Sequence, residues 1–489
     1  MNIGTWTNKA AFAAALLLVT AGTSAWADGE PTDVAAELKA LKARIAELEA
    51  KENTNWLSEE RTAQIRGIVE EVLADVKKRN QSNTPDFGYN NGFYIQSPDG
   101  NYKLQVNGLL QFRYVYSRSE VRNRDAFGSN VPPSGDASAF GFRRARLYFS
   151  GNVFDPNLIY MISGDFGGSS SNSGNFQILD TYLGYNFTPA LKIKGGAMKI
   201  PFTYAELYSS GLMAPEAATT AIPFDAVRTL GLSLYGDIIK DKLNYEVQIN
   251  DGSKSNSLGR PADASGALDN RYGFYGRMEW AGNGNMKELR TESDFKGSKD
   301  FIWMLGVAAG YEEQNSQSNA FPRPQTSLAL LGLSSNTSPG FVASQTVNGS
   351  LFRATTDFHA KYRGLSFGAT GYMQYLNDEL PAGATTDSFR NLFGKSSIGQ
   401  AGYVLQAGYM VIPQKLELIG RFGQLMTFGL PNRMEEYTLG VNYFLYGSNA
   451  KIQLGLTYIP NEAAFSDSGA NTIQNTQDLI MQAQFHLEF

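Results

Sequence analysis

From Lys103 to the end of the chain, apolar and polar residues alternate with a period of two. In YKLQVNGLLQFRY (102–114), Leu104, Val106, Leu110 and Phe112 alternate with Lys103, Gln105, Asn107, Gln111 and Arg113. In KLNYEVQIND (242–251), Leu243, Tyr245, Val247 and Ile249 alternate with Asn244, Glu246, Gln248 and Asn250. Such a pattern gives a strand one apolar and one polar face. It predicts 16 strands, near 103–116, 141–153, 158–166, 176–187, 191–200, 228–236, 242–251, 270–281, 299–313, 350–362, 365–377, 399–410, 415–426, 434–445, 450–460 and 477–489. Upstream the period is helical. Val34, Leu38, Leu41, Ile45 and Leu48 trace a short heptad seam, and Ile65, Ile68, Val69, Val72 and Val76 share one helical face across 58–79. NQSNTPDFGYNNG (80–92) reads as a linker.

The connections alternate too. Short turns are expected at DPN (155–157), TPA (188–190), RG (363–364), PQ (413–414) and GSNA (447–450). Between them lie long Gly-, Ser-, Asn- and Pro-rich loops at 117–140, 201–227, 252–269, 314–349, 378–398 and 461–476, while 282–298 is long for a short-turn position. An even number of antiparallel strands, with short turns at one end and long loops at the other, is the pattern of an outer-membrane barrel. A bilayer leaves no unpaired backbone group facing lipid, so the sheet must close. The last residues, MQAQFHLEF, continue the alternation to a terminal phenylalanine. A soluble sandwich would alternate as well, but would not explain the loop asymmetry or the N-terminus.

That N-terminus has Lys9, an apolar run over 10–19 and Ala25-Trp26-Ala27, which reads as an export signal, 1–27. The expected organisation is therefore a signal peptide (1–27), a periplasmic helical or coiled-coil arm with linker (28–85), and an all-β barrel of 16 antiparallel strands (86–489). The chain has 50 Gly, 25 Tyr and 30 Phe but no Cys, which argues against a small disulfide-held extracellular scaffold. The formal net charge of -5 gives no signal for nucleic acid.

Charge matters once parity is applied. FGFRRARLYFSGNVFD (140–155) carries Arg143, Arg144 and Arg146. An arginine on the lipid face at mid-depth costs about 2–4 kcal/mol, so Arg144 and Arg146 are expected in the lumen. Arg143 has the opposite parity. The same reading turns Lys103, Arg113, Lys192, Lys194, Arg271, Arg277, Arg353, Lys361, Arg421 and Lys451 inward, against Asp165, Asp180, Glu246, Glu279, Asp357, Glu417 and Glu436. This predicts a net positive lumen, and rings of Lys and Arg select anions. Loop 199–228 is moderately apolar, with Leu207, Leu212, Met213, Ile222 and Phe224, and is expected to fold into the barrel with Lys199 and Arg228 bracketing a constriction.

NGFYIQSPDGNYKLQVNGLLQFRY, FRRARLYFSGNVFD, ILDTYLGYNFTPALKIKGGAMKIPF and VRTLGLSLYG resemble the phosphate-selective porin family of Gram-negative outer membranes. The resemblance implies a trimeric 16-stranded barrel with its third loop folded inward and a ladder of lumen arginines. It places Arg143 and Arg144 in that ladder and likens Asp180 to an acid of the constriction. Loop 203–227 lacks the lysines expected of strict phosphate binders.

The expected function is an anion-selective, phosphate-preferring porin in the outer membrane. Its pore-lining set is Arg113, Arg143, Arg144, Arg146, Asp180, Lys192, Lys194, Lys199, Arg228, Arg277, Arg353 and Arg421. Its partners are inorganic phosphate or other small anions, lipid, and two further copies of the chain. No cofactor, metal or catalytic group is expected, because His359 and His486 have no triad or metal partner nearby in sequence. The alternatives are a general or sugar-type pore, using Tyr148, Tyr182, Tyr235, Tyr275 and Tyr372, and a barrel whose arm serves mainly as a tether.

Overall fold

A computed structural model of the chain describes residues 43, 67–69, 85–119, 135–167, 177–253, 272–314, 349–378, 397–428, 433–465 and 473–489. The chain divides into two units, 1–82 and 83–489. In the first, residues 43 and 67–69 are helical; the export signal and the heptad seam otherwise lie outside the described residues.

The second unit is built from strands β1 (Asp86–Tyr89), β2 (Phe93–Gln96), β3 (Lys103–Ser119), β4 (Gly135–Val153), β5 (Asp155–Asp165), β6 (Gln177–Thr188), β7 (Leu191–Lys199), β8 (Arg228–Ile239), β9 (Leu243–Asn250), β10 (Gly273–Asn283), β11 (Ile302–Gln314), β12 (Gly349–Tyr362), β13 (Leu365–Asp378), β14 (Ser397–Ile412), β15 (Leu416–Thr427), β16 (Arg433–Tyr446), β17 (Ala450–Phe465) and β18 (Ile473–Glu488). From β3 onward each strand pairs antiparallel with the next, and β18 returns to pair with β3, from Asp478↔Ser119 to Glu488↔Leu109. The result is a closed barrel of 16 strands. The terminal Phe489 seals the seam by exchanging backbone hydrogen bonds with Gly108, at 2.8 and 3.0 Å.

Closure turns the period-two pattern into two surfaces. On β3, Leu109, Gln111, Arg113, Val115 and Ser117 are buried, while Leu110 and Phe112 between them are exposed. The same split runs round the wall, with Leu234, Val247, Trp280, Val307, Leu405, Leu418, Leu439 and Leu454 facing out. Arginines, lysines and carboxylates occupy the opposite face.

Two local expectations are corrected, and the connection noted as long is explained. DFGY, read as linker, is β1, which pairs with β2 across a turn where Asn91 (φ 51°) and Gly92 (φ 135°) take positive φ. DPN belongs to β5 rather than to the turn. The chain reverses at Phe154 (φ 64°), and the Asp155 carboxylate accepts the Asn157 N–H at 2.8 Å, a side-chain mimic of a turn bond. The long connection 282–298 contains a helix, α1 (Met286–Leu289), whose start is capped by the Asn285 side chain accepting the Glu288 N–H.

Candidate functional site

The opposite parity of Arg143 is resolved by register. Gln111 pairs with Arg144 but Phe112 pairs with Phe142, so Arg143 is the extra residue of a β-bulge. A bulge flips the parity of everything beyond it and re-aims its own side chain. Gly141, Arg143, Arg144 and Arg146 therefore all belong to the inward face, and strict alternation was the wrong rule at one position. Arg143 hydrogen-bonds the Glu216 carboxylate through Nε.

Glu216 lies in segment 200–227, which runs along the buried face of much of the barrel wall. Its contacts can be followed in order. The Phe202 carbonyl accepts from Arg277 (2.9 Å) on β10. Tyr204, in a one-turn helix (Tyr204–Leu207), stacks on His359 and donates to the Leu289 carbonyl at 3.0 Å. The Met213 N–H donates to Glu292 (2.7 Å), and the Met213 carbonyl accepts from Asn442 (2.9 Å) and Gln453 (2.8 Å) on β16 and β17. The Leu212 carbonyl accepts from Lys451 at 3.1 Å. Arg113 on β3 donates to Glu216 at 2.6 Å, and Arg421 on β15 donates to the Glu216 carbonyl at 2.7 Å. The Thr220 N–H donates to Glu436 (3.3 Å), Phe224 stacks on Tyr372 with ring centroids 5.1 Å apart, and the Asp225 carbonyl accepts from Arg353 at 3.4 Å. Leu212, Met213 and Phe224 are buried as their apolar character predicts, whereas Ile222 is exposed.

The wall is cut to receive this segment. A Cβ on Gly402 would come 3.0 Å from the Phe224 ring, and one on Gly408 would come 2.6 Å from the Met213 sulfur. Gly423 and Gly455 face Thr220 and Pro215 in the same way. These inward glycines weaken their strands but leave room for a second layer of chain.

The twelve residues singled out from the sequence thus fall into two groups. Arg113, Arg144, Arg277, Arg353 and Arg421 are buried against segment 200–227, with Arg353 fully buried. Arg277, Arg353 and Arg421 hold chain to chain, whereas Arg113 and Arg144 meet the segment at Glu216, whose side chain keeps 24% of its surface exposed. Lys199 also points at the segment, donating to the Glu206 and Leu207 carbonyls at 2.6 and 3.1 Å. The remaining six lie on strands β4 to β8, where Arg143 and Arg228 meet Glu216 and Glu206 of the segment. Arg143 keeps 39% of its side chain exposed. Arg146 pairs with Asp165 at 2.7 Å, and Arg228 grips Asp180 through two bonds of 3.0 Å. Lys192 pairs with Asp237 (3.1 Å) and Lys194 with Glu246 (2.9 Å). The two lysines line a cavity of about 340 Å³ together with Tyr235, Asp237, Glu246 and Arg290.

The expected excess of inward positive charge is largely cancelled. Parity counted only strand residues, so it missed Glu206, Glu216 and Asp225, which segment 200–227 supplies, and Glu292 from the β10–β11 connection; Glu312 of β11, a buried strand acid, was also left out of the inward set. Three acids in an otherwise moderately apolar loop were the available signal. Burial pushes the Glu216 carboxyl up, but the charges of Arg143, Arg144 and Arg113 together outweigh it and hold it at about 2. Glu292, buried without a paired cation, is raised instead. Arg271 lies outside the described residues.

A closed barrel with an apolar outer belt and a charged interior is the architecture of an outer-membrane porin. The family model described as phosphate-selective porin O and P matches residues 125–299, so the resemblance read from the sequence holds over the stretch carrying β4 to β10 and segment 200–227. No match is found among curated proteins. Similar solved structures include an anion-selective porin from Comamonas acidovorans, at 13% identity over 79% of this chain and 99% of that one, with a TM-score of 0.48. Another is the outer-membrane expressed OmpT of Vibrio cholerae, at 12% identity, 78% and 97% coverage, and a TM-score of 0.47. The outer membrane channel DcaP of Acinetobacter baumannii is similar at 15% identity, 78% and 97% coverage, and a TM-score of 0.43.

Proposed function

We propose that the chain forms a water-filled channel for small anions, inorganic phosphate among them, with segment 200–227 narrowing the lumen. The carrying observation is the row Arg143, Arg146, Arg228, Lys194 and Lys192 on β4, β7 and β8, whose side chains keep from 11% to 39% of their surface exposed. Guanidinium groups match phosphate oxygens in a planar fork, and a low-dielectric wall strengthens each contact. Each of these cations has a carboxylate neighbour, so the reading is of an anion preference rather than of a high-affinity phosphate trap. A sugar pore is less well supported: Tyr275 and Tyr372, two of the five tyrosines such a pore would use, are buried against Phe202 and Phe224. In the same reading 1–27 is a removed export signal, 28–85 a periplasmic arm, and the working unit a homotrimer.

The test is the reversal potential of the purified protein in a planar bilayer under a KCl gradient, followed by titration with phosphate. An anion-selective potential, with phosphate reducing the chloride current, is expected. Cation selectivity would sink the proposal.

A further inference from the structure

We infer that Glu216 is the tethered occupant of a three-arginine oxyanion site and sets the channel's selectivity by competing with the passing anion. This rests on the anion-channel reading above. One carboxylate oxygen takes Arg113 at 2.6 Å and Arg143 Nε; the other lies 4.0 Å from Arg144 Nη2. Three guanidinium groups from two adjacent strands converge on one carboxylate, which is how a protein binds a free oxyanion. Glu216 keeps 24% of its side chain exposed, and Arg143 more, so the cluster is open on one side. Among the described residues Arg143 has no hydrogen-bond partner other than Glu216. Arg144 Nε is buried and has none.

Anchoring the segment does not require this carboxylate. Chain on one side of Glu216 is held by Lys451, Asn442 and Gln453, and chain on the other by Glu436. Arg421 grips the Glu216 backbone carbonyl, a bond that survives any side-chain change. The side chain is thus free for another role, and its charge is of the same sign as the ion that the arginines would attract. A divalent phosphate can displace it in part; chloride, with no fork to offer, gains less.

The experiment compares wild type, E216Q, E216D and the control D300N, an exposed acid of the β10–β11 connection. Reversal potential under a KCl gradient and the phosphate concentration that halves the chloride current are measured for each, with heat-modifiable gel mobility reporting folding. E216Q should shift the potential toward anions and lower the half-blocking phosphate concentration about tenfold or more. E216D, which keeps the charge but withdraws it by one methylene, should fall between, and D300N should match wild type. An anion-selective wild type with both Glu216 variants unchanged overturns this inference alone. A cation-selective wild type overturns the channel reading and this inference with it. Should E216Q fail to fold, the shift in E216D decides.

Discussion

Phe224→Ala should loosen the segment without dissolving the barrel. Phe224 is fully buried among Ala218, Ala221, Tyr372, Val404 and Leu425, and its ring lies 13° from parallel to that of Tyr372. Truncating a core Phe to Ala costs about 3–5 kcal/mol, of which the aromatic stack accounts for about 0.5–1.5. The cost falls on the seam between segment and wall, because the strands on either side keep their ladder, Gln400↔Thr427 to Ala407↔Gly420 among it. At about 1.4 kcal/mol per tenfold, the population with the segment detached near residues 218–226 rises by about two to three and a half orders of magnitude. Single-channel recording reads this directly. The variant should show flicker to higher conductance, while the temperature at which the barrel unfolds on a gel moves little. A current trace identical to wild type, or a barrel that melts early with unchanged conductance, would refute the reasoning. Either would mean that Phe224 is global core rather than the fastening of a movable layer.

Arg277→Met should lower barrel stability more than any exposed substitution. It strands Asp357 and Glu279, both buried within 2.9 Å of the guanidinium, at a cost of about 3–5 kcal/mol; an unchanged gel-unfolding temperature would count against the buried network. For Glu216, held at about 2 against an ordinary 4.5, the sign is that of a depressed carboxyl. Its contribution is complete above the ordinary value and is lost as pH falls toward the lowered one, so conductance should hold from about pH 7 to about pH 5, with open-channel noise rising only below about pH 3. A transition centred at the ordinary carboxylate value would show that the arginines do not hold it.

Much of the barrel was legible because a closed membrane sheet imposes a simple local rule. One face meets lipid and one meets water, so every strand declares itself by alternation, and the observed strands overlap all 16 expected segments. The errors are those local rules must make. A bulge at Arg143 breaks parity without changing composition. Asp155 replaces a turn by a side-chain hydrogen bond. Arg113, Arg353 and Arg421 are buried on the side that parity gave them, but parity reports only which face a side chain is on. It does not report whether open space or another layer of protein lies beyond.

The 16 strands of the barrel, their pairing order and the sorting of apolar from charged faces were legible in the sequence alone, since each follows from neighbours one or two positions apart and from the demand that no backbone group face lipid unpaired. Which cations remain open to a passing ion was decided only by the tertiary structure. Segment 200–227 meets β10, β16, β17, β3, β15 and β12 in turn, and these contacts join residues up to about 240 positions apart. No periodicity encodes such contacts, because they depend on where glycines such as Gly402 and Gly408 leave room on a wall that exists only once the sheet has closed.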